Sequence, residues 1–154
     1  MASRIVVSLR VKASPERAFA VFTGDIGAWW KPNRMFALTP RSPGVLAFEG
    51  EEGGRLVERL EGGKVYEVGR IEIWRPGEQL AFGWRQASFA PGQMTRVEVA
   101  FEPVGAETRI TVTHSGWDSV PADHVAKHGF PEMVFMRRHG EWWGRLLDSL
   151  EAAL

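Results

Sequence analysis

Two side chains in this sequence are of the right type, at the right parity, for acid–base chemistry. Glu58 stands between Leu56 and Leu60 on one strand parity, so an inward carboxylate could accept a proton or anchor a polar ligand atom. The commoner role is an ion pair with Arg70 or Arg85 that holds the sheet. His114 shares parity with Ile110 and Val112 and would work as acid, base or hydrogen-bond donor near neutral pH. Its commoner role is a core imidazole satisfied by a backbone carbonyl. Glu58 and His114 would be the catalytic pair if the fold brought them together. His124 and His128 are four residues apart beside Asp123, and a helix there would turn both rings to one face. Zinc needs at least a third ligand, and neither a cysteine nor an HExxH pattern supplies one, so no metal and no cofactor is expected. His139 falls at the rim of the last helix. No serine lies in a GxSxG elbow, and the glycines of 50–54 and 62–63 neighbour glutamates rather than phosphate-binding lysines.

Aromatic residues carry more information than the polar ones. Seven tryptophans against one tyrosine exceed the needs of a core this size and point to an aromatic pocket or interface. Trp30, Phe36, Phe48 and Tyr66 come from early segments, and Trp84, Met136 and Trp143 from later ones. All are expected to converge between a sheet and the last helix, where Gly140 leaves space for a guest beside Glu58 and His114. A slip of one residue in strand parity would turn Phe48 and Tyr66 outward.

The elements that must position these groups follow from periodicity. From Pro131 to Leu154, Met136, Gly140, Trp143, Leu147, Leu150 and Leu154 recur every three or four residues, the stripe of a long amphipathic helix. Ile5, Val7, Leu9 and Val11 alternate with polar residues as a strand, and Ser14-Pro15-Glu16 then starts a helix that stops near Gly24. A second short helix carries Ile26, Trp29 and Trp30 and ends before Pro32. Six strands follow at 45–49, 55–60, 64–74, 80–85, 96–102 and 109–114, with a bulge expected near Gly69, where the alternation slips. The segment 117–129 is irregular, with one short helix over 121–128. The order β-α-α-β6-α excludes a parallel sheet and gives an α+β fold, a curved antiparallel sheet of about seven strands around the long C-terminal helix.

At 154 residues the chain reads as one domain over 1–154, able to bury about 70% of its unfolded surface. Nineteen basic and nineteen acidic residues cancel without a basic run, which argues against a nucleic-acid partner. Absence of cysteine fits a reducing compartment, and MASRIVVSLR is too short in apolar residues for a leader or a membrane span. A cytoplasmic protein, monomer or homodimer, is expected.

Several motifs resemble the START-like, or helix-grip (SRPBCC), superfamily, and within it the group related to the activator of the heat shock protein 90 ATPase. They are Ser14 to Phe19, Trp29-Trp30, Gly53-Gly54-Arg55 with Glu58, and Gly69, Ile71 and Trp74 before Pro76. Leu80, Phe82 and Trp84, Thr108 to Ser115, and the terminal helix complete the set, so nearly the whole chain is covered. The resemblance implies a helix-grip fold on which carriers, lipid-binding modules, cyclases, hydrolases and cochaperone domains all occur. The cochaperone that names the group carries a separate N-terminal domain for chaperone binding, and no such domain fits here. Three functions are therefore expected in this order: binding of a small hydrophobic or aromatic molecule, a protein-interaction module with a chaperone partner, and a cyclase or hydrolase using Glu58 and His114.

Overall fold

Alternation of apolar and polar residues builds most of this molecule. The computed structural model describes residues 4–154, so the first three residues of the stretch read against a leader lie outside the described residues. Strand β1 (Ile5–Val11) is followed by α1 (Pro15–Gly24) and the single turn α2 (Ile26–Trp29). Ser14 caps α1 by accepting the Arg17 N–H at 3.1 Å, and Pro15 begins it without losing a needed donor. Strands β2 (Val45–Glu49), β3 (Arg55–Arg59), β4 (Val65–Arg75), β5 (Gln79–Trp84), β6 (Thr95–Val104) and β7 (Glu107–Ser115) precede α3 (Glu132–Ala152). The sheet runs β1-β7-β6-β5-β4-β3-β2, antiparallel at every step. This is the expected α+β arrangement.

The irregularities fall where the alternation slips. Leu56 pairs with Gly69 but Val57 with Glu67, which leaves Val68 as an extra residue beside the expected position. A second shift lies between Ile71 and Ile73. Gly69 is required there, since a Cβ would meet the Gly83 carbonyl oxygen at 1.9 Å.

Helix α3 does not cover the sheet alone. It lies against β1, while Phe19 and Phe22 of α1 pack edge-on against Phe101, and Phe19 also meets Trp74. The buried residues of α3 are Phe135, His139, Trp142, Trp143, Leu146, Leu147 and Leu150, whereas Met136, Gly140 and Leu154 are half-buried. The stripe is thus wider than periodicity indicates and, from Met136 to Leu147, extends to the preceding residue at each step. The cause is a second contact on the helix flank, where Phe36 stacks on His139 at 4.4 Å and on Trp142 at 4.8 Å. His139 is accordingly a core residue and not a rim residue.

Residues 121–128 form no α-helix, only a 3₁₀ turn at Val125–Lys127. His124 caps that turn by accepting the Ala126 N–H, and His128 and Gly129 adopt left-handed φ of 54° and 71°, which ends it. Lys127 is buried here, donating to the Val120 carbonyl at 2.8 Å and the Trp117 carbonyl at 3.1 Å, and pairing with Glu132 of α3 at 3.4 Å. Lys127→Ala leaves the Val120 oxygen without that donor and is expected to cost about 2–3 kcal/mol, measured as a lowered urea midpoint at unchanged slope. No helix among the described residues is long and apolar enough to cross a membrane.

Candidate functional site

A cavity of about 310 Å³ opens between the loop after α2, the β2, β3 and β5 strands, and one side chain of α3. Trp30, Phe36, Trp84 and Trp142 form aromatic wall, Leu38 and Leu46 add aliphatic surface, and Glu58 with Ser42 and Gly44 supplies polar atoms. The aromatic wall is self-supporting. Trp30 lies 5.5 Å from both Trp84 and Trp142 by ring centroid, edge-on to the latter. The Trp142 indole N–H donates to the Lys31 carbonyl at 3.2 Å, and Ser149 donates to the Trp29 carbonyl at 2.5 Å, which ties α3 to the end of α2.

Glu58 is only 4% exposed and has no arginine partner among the described residues. Instead the Ser42 hydroxyl lies 2.9 Å from both of its oxygens and shares its one proton between them, Thr39 donates at 3.3 Å and the Gly44 N–H at 3.1 Å. Glycine is needed at 44, because a Cβ would meet the Arg59 carbonyl at 2.4 Å. One loop therefore both roofs the cavity and holds its carboxylate.

His114 is elsewhere. Its ring is fully buried in a directed chain: the Trp143 indole N–H donates to Nδ1 at 3.2 Å, Nε2 meets the Thr95 hydroxyl at 2.9 Å, and that hydroxyl donates to the Trp84 carbonyl at 2.6 Å. Indole nitrogen can only donate, and Thr95 spends its proton on Trp84. The imidazole is therefore the neutral tautomer with its proton on Nε2. Burial pushes its pKa from the usual 6.5 to about 3. His139, 4.8 Å away by ring centroid, is held well below 6.5 by burial and secondarily by His114, and neither of its nitrogens has a partner among the described residues.

Of the residues expected to meet, Trp30, Phe36, Glu58 and Trp84 share the cavity. Phe48 is half-buried on the sheet, its ring 5.3 Å from Phe82. Tyr66 is half-buried and donates to the Arg85 carbonyl at 2.7 Å, and burial raises its pKa. Trp143 and His114 lie in the core and Met136 packs at its border, none of them in the lining. Gly140 faces β1, where a Cβ would sit 3.5 Å from Ile5, so it accommodates a strand. His124 donates to the Ser88 carbonyl at 3.1 Å and His128 to the Met35 carbonyl, so the two serve different loop contacts. Trp142, which brackets the helix glycines together with Trp143, was not among the expected lining residues, nor were Ser42, Thr39 and Leu38. The adjacent Trp142-Trp143 pair was the available signal for a helix buried on two sides, while the loop residues had none beyond their prolines.

The family profile described as Activator of Hsp90 ATPase homolog 1-like protein matches residues 12–154. No curated protein matches by sequence. Among solved structures, the Aha1 dimer from Colwellia psychrerythraea is similar at TM-score 0.65 and 21% identity, covering 98% of this chain and 95% of that one. An HSP90 activator from Plasmodium falciparum gives 0.64 and 20%, covering 98% and 95%. The anthrahydroquino-gamma-pyrone synthase Txn09, complexed with SUM, gives 0.56 and 27%, covering 95% and 96%.

Proposed function

This chain belongs to the Activator of Hsp90 ATPase homolog 1-like family, within the START-like group, and from that premise we propose that it binds a small hydrophobic or aromatic molecule without covalent chemistry. The observation that carries the reading is the cavity of about 310 Å³ walled by Trp30, Phe36, Trp84 and Trp142 around one buried carboxylate. Its volume and its ratio of apolar wall to polar anchor are those of a small-molecule site. The likeness to a synthase solved complexed with SUM supports a fold that takes up a guest.

An acid–base enzyme is the weaker reading, because His114 has both nitrogens committed inside the core and is outside the lining that contains Glu58. A chaperone-interaction role rests on the family's description. It predicts a raised ATPase rate on mixing with the chaperone, and an unchanged rate would remove it.

The cavity reading is tested by incubating the purified protein with a metabolite extract and identifying what is retained after gel filtration. A retained aromatic or hydrophobic compound that is lost from Ala37→Trp, which fills the cavity from its lining, is the expected result. Equal retention by the filled variant would move the site elsewhere.

A further inference from the structure

The proposed guest can be narrowed by the charge of the site, an inference that rests on the cavity reading above. Glu58 accepts bonds from Ser42, Thr39 and the Gly44 N–H, all of them neutral donors. These donors satisfy the carboxyl oxygens without bringing any positive charge to them. No lysine, arginine or histidine of the described residues forms an ion pair with it, although it is nearly fully buried. A charge removed from water in this way costs several kcal/mol unless an opposite charge comes close (roughly, after relaxation). Among the described residues no ion pair provides that charge.

Around the carboxylate stand the electron-rich rings. Trp30, Trp84 and Trp142 line the same cavity, and Phe36 lies parallel to Trp142 at 4.8 Å and 17°. Indole faces attract cations through their quadrupole, most strongly where water is excluded, and aromatic walls joined to a carboxylate are a combination suited to alkylammonium groups. Arg34, the cationic member of the lining, is exposed, so its charge is screened by solvent. We propose that the cavity selects a positively charged organic guest, a primary or substituted ammonium on an aromatic body, with Glu58 as the counter-charge and the tryptophan rings as the surrounding wall.

The test uses two probes of nearly one shape, 2-phenylethylamine, which is cationic at neutral pH, and 2-phenylethanol, which is not. Each is titrated into the full chain while the tryptophan indole signals are followed by NMR. The amine is expected to bind at least about tenfold more tightly than the alcohol, and Glu58→Gln to remove most of that advantage. Equal or tighter binding of the alcohol would overturn the charge selection and leave the cavity reading in place. An advantage that survives Glu58→Gln would overturn the role of Glu58. Should neither probe move the Trp30, Trp84 and Trp142 signals, the inference falls together with the reading it rests on. The comparison of the two probes on the unsubstituted chain stands even if the variant does not fold.

Discussion

Acidification from about pH 7.5 to about pH 4.5 is expected to remove roughly 3 kcal/mol of folding stability through His114 alone. Its pKa falls from 6.5 in the unfolded chain to about 3 in the folded one. Above 6.5 the ring is neutral in both states and contributes no slope. Between 6.5 and about 3 only the unfolded chain takes up the proton, so stability falls by about 1.4 kcal/mol for each pH unit. Protonating the folded ring would set an N–H on Nδ1 against the Trp143 N–H, which now donates to it. His139, depressed in the same direction by burial, steepens the loss. Urea unfolding across this range checks it, with His114→Gln and His139→Leu as controls that flatten the curve. His139→Leu should also raise stability near neutral pH by about 1 kcal/mol, since it removes two buried nitrogens that have no partner. An unfolding free energy that does not change from pH 6.5 to 4.5 (about two units) would contradict the buried neutral pair.

Trp143→Ala is the substitution expected to hurt most, at about 4 kcal/mol, a large part of what a domain this size has to spare. Trp143 is fully buried, and its truncation both opens a void and leaves His114 Nδ1 without a donor. Trp143→Phe restores most of the volume but not the hydrogen bond, and should recover more than half of the loss. Urea midpoints of the three proteins separate packing from the bond. A loss below about 1.5 kcal/mol for the alanine variant would mean that the core closes over the gap.

The difference between Trp143 and its neighbour Trp142 shows which parts of the molecule were legible in the sequence. Strand alternation placed Ile5, Val97, Val99, Ile110 and Val112 inward, and the Ser14-Pro15 start and the slip at Gly69 were visible as local chemistry. Glu58 and Trp84 also face inward by parity, because a strand repeats every two residues and nothing else decides its faces. Helix α3 did not yield to the same logic. A single apolar stripe assumes one partner, but the loop carrying Phe36 and Leu38 folds over a second side of α3 and buries His139 and Trp142. Ser42, Thr39 and Gly44 hold Glu58 through contacts 14 to 19 residues distant, and irregular backbone has no period from which such contacts could be read. Lys127 was equally hidden, since a buried lysine is recognised only from the carbonyls it reaches.

Whether the space lined by Trp30 admits a guest is read directly by indole NMR, because each tryptophan gives one Nε1–H signal. Titrating small aromatic fragments should move the signals of Trp30, Trp84 and Trp142 together while Trp74 and Trp117, outside the lining, stay in place. Saturating fragment that leaves those three unmoved, or that shifts only Trp74 or Trp117, would contradict the cavity as the working part of this protein.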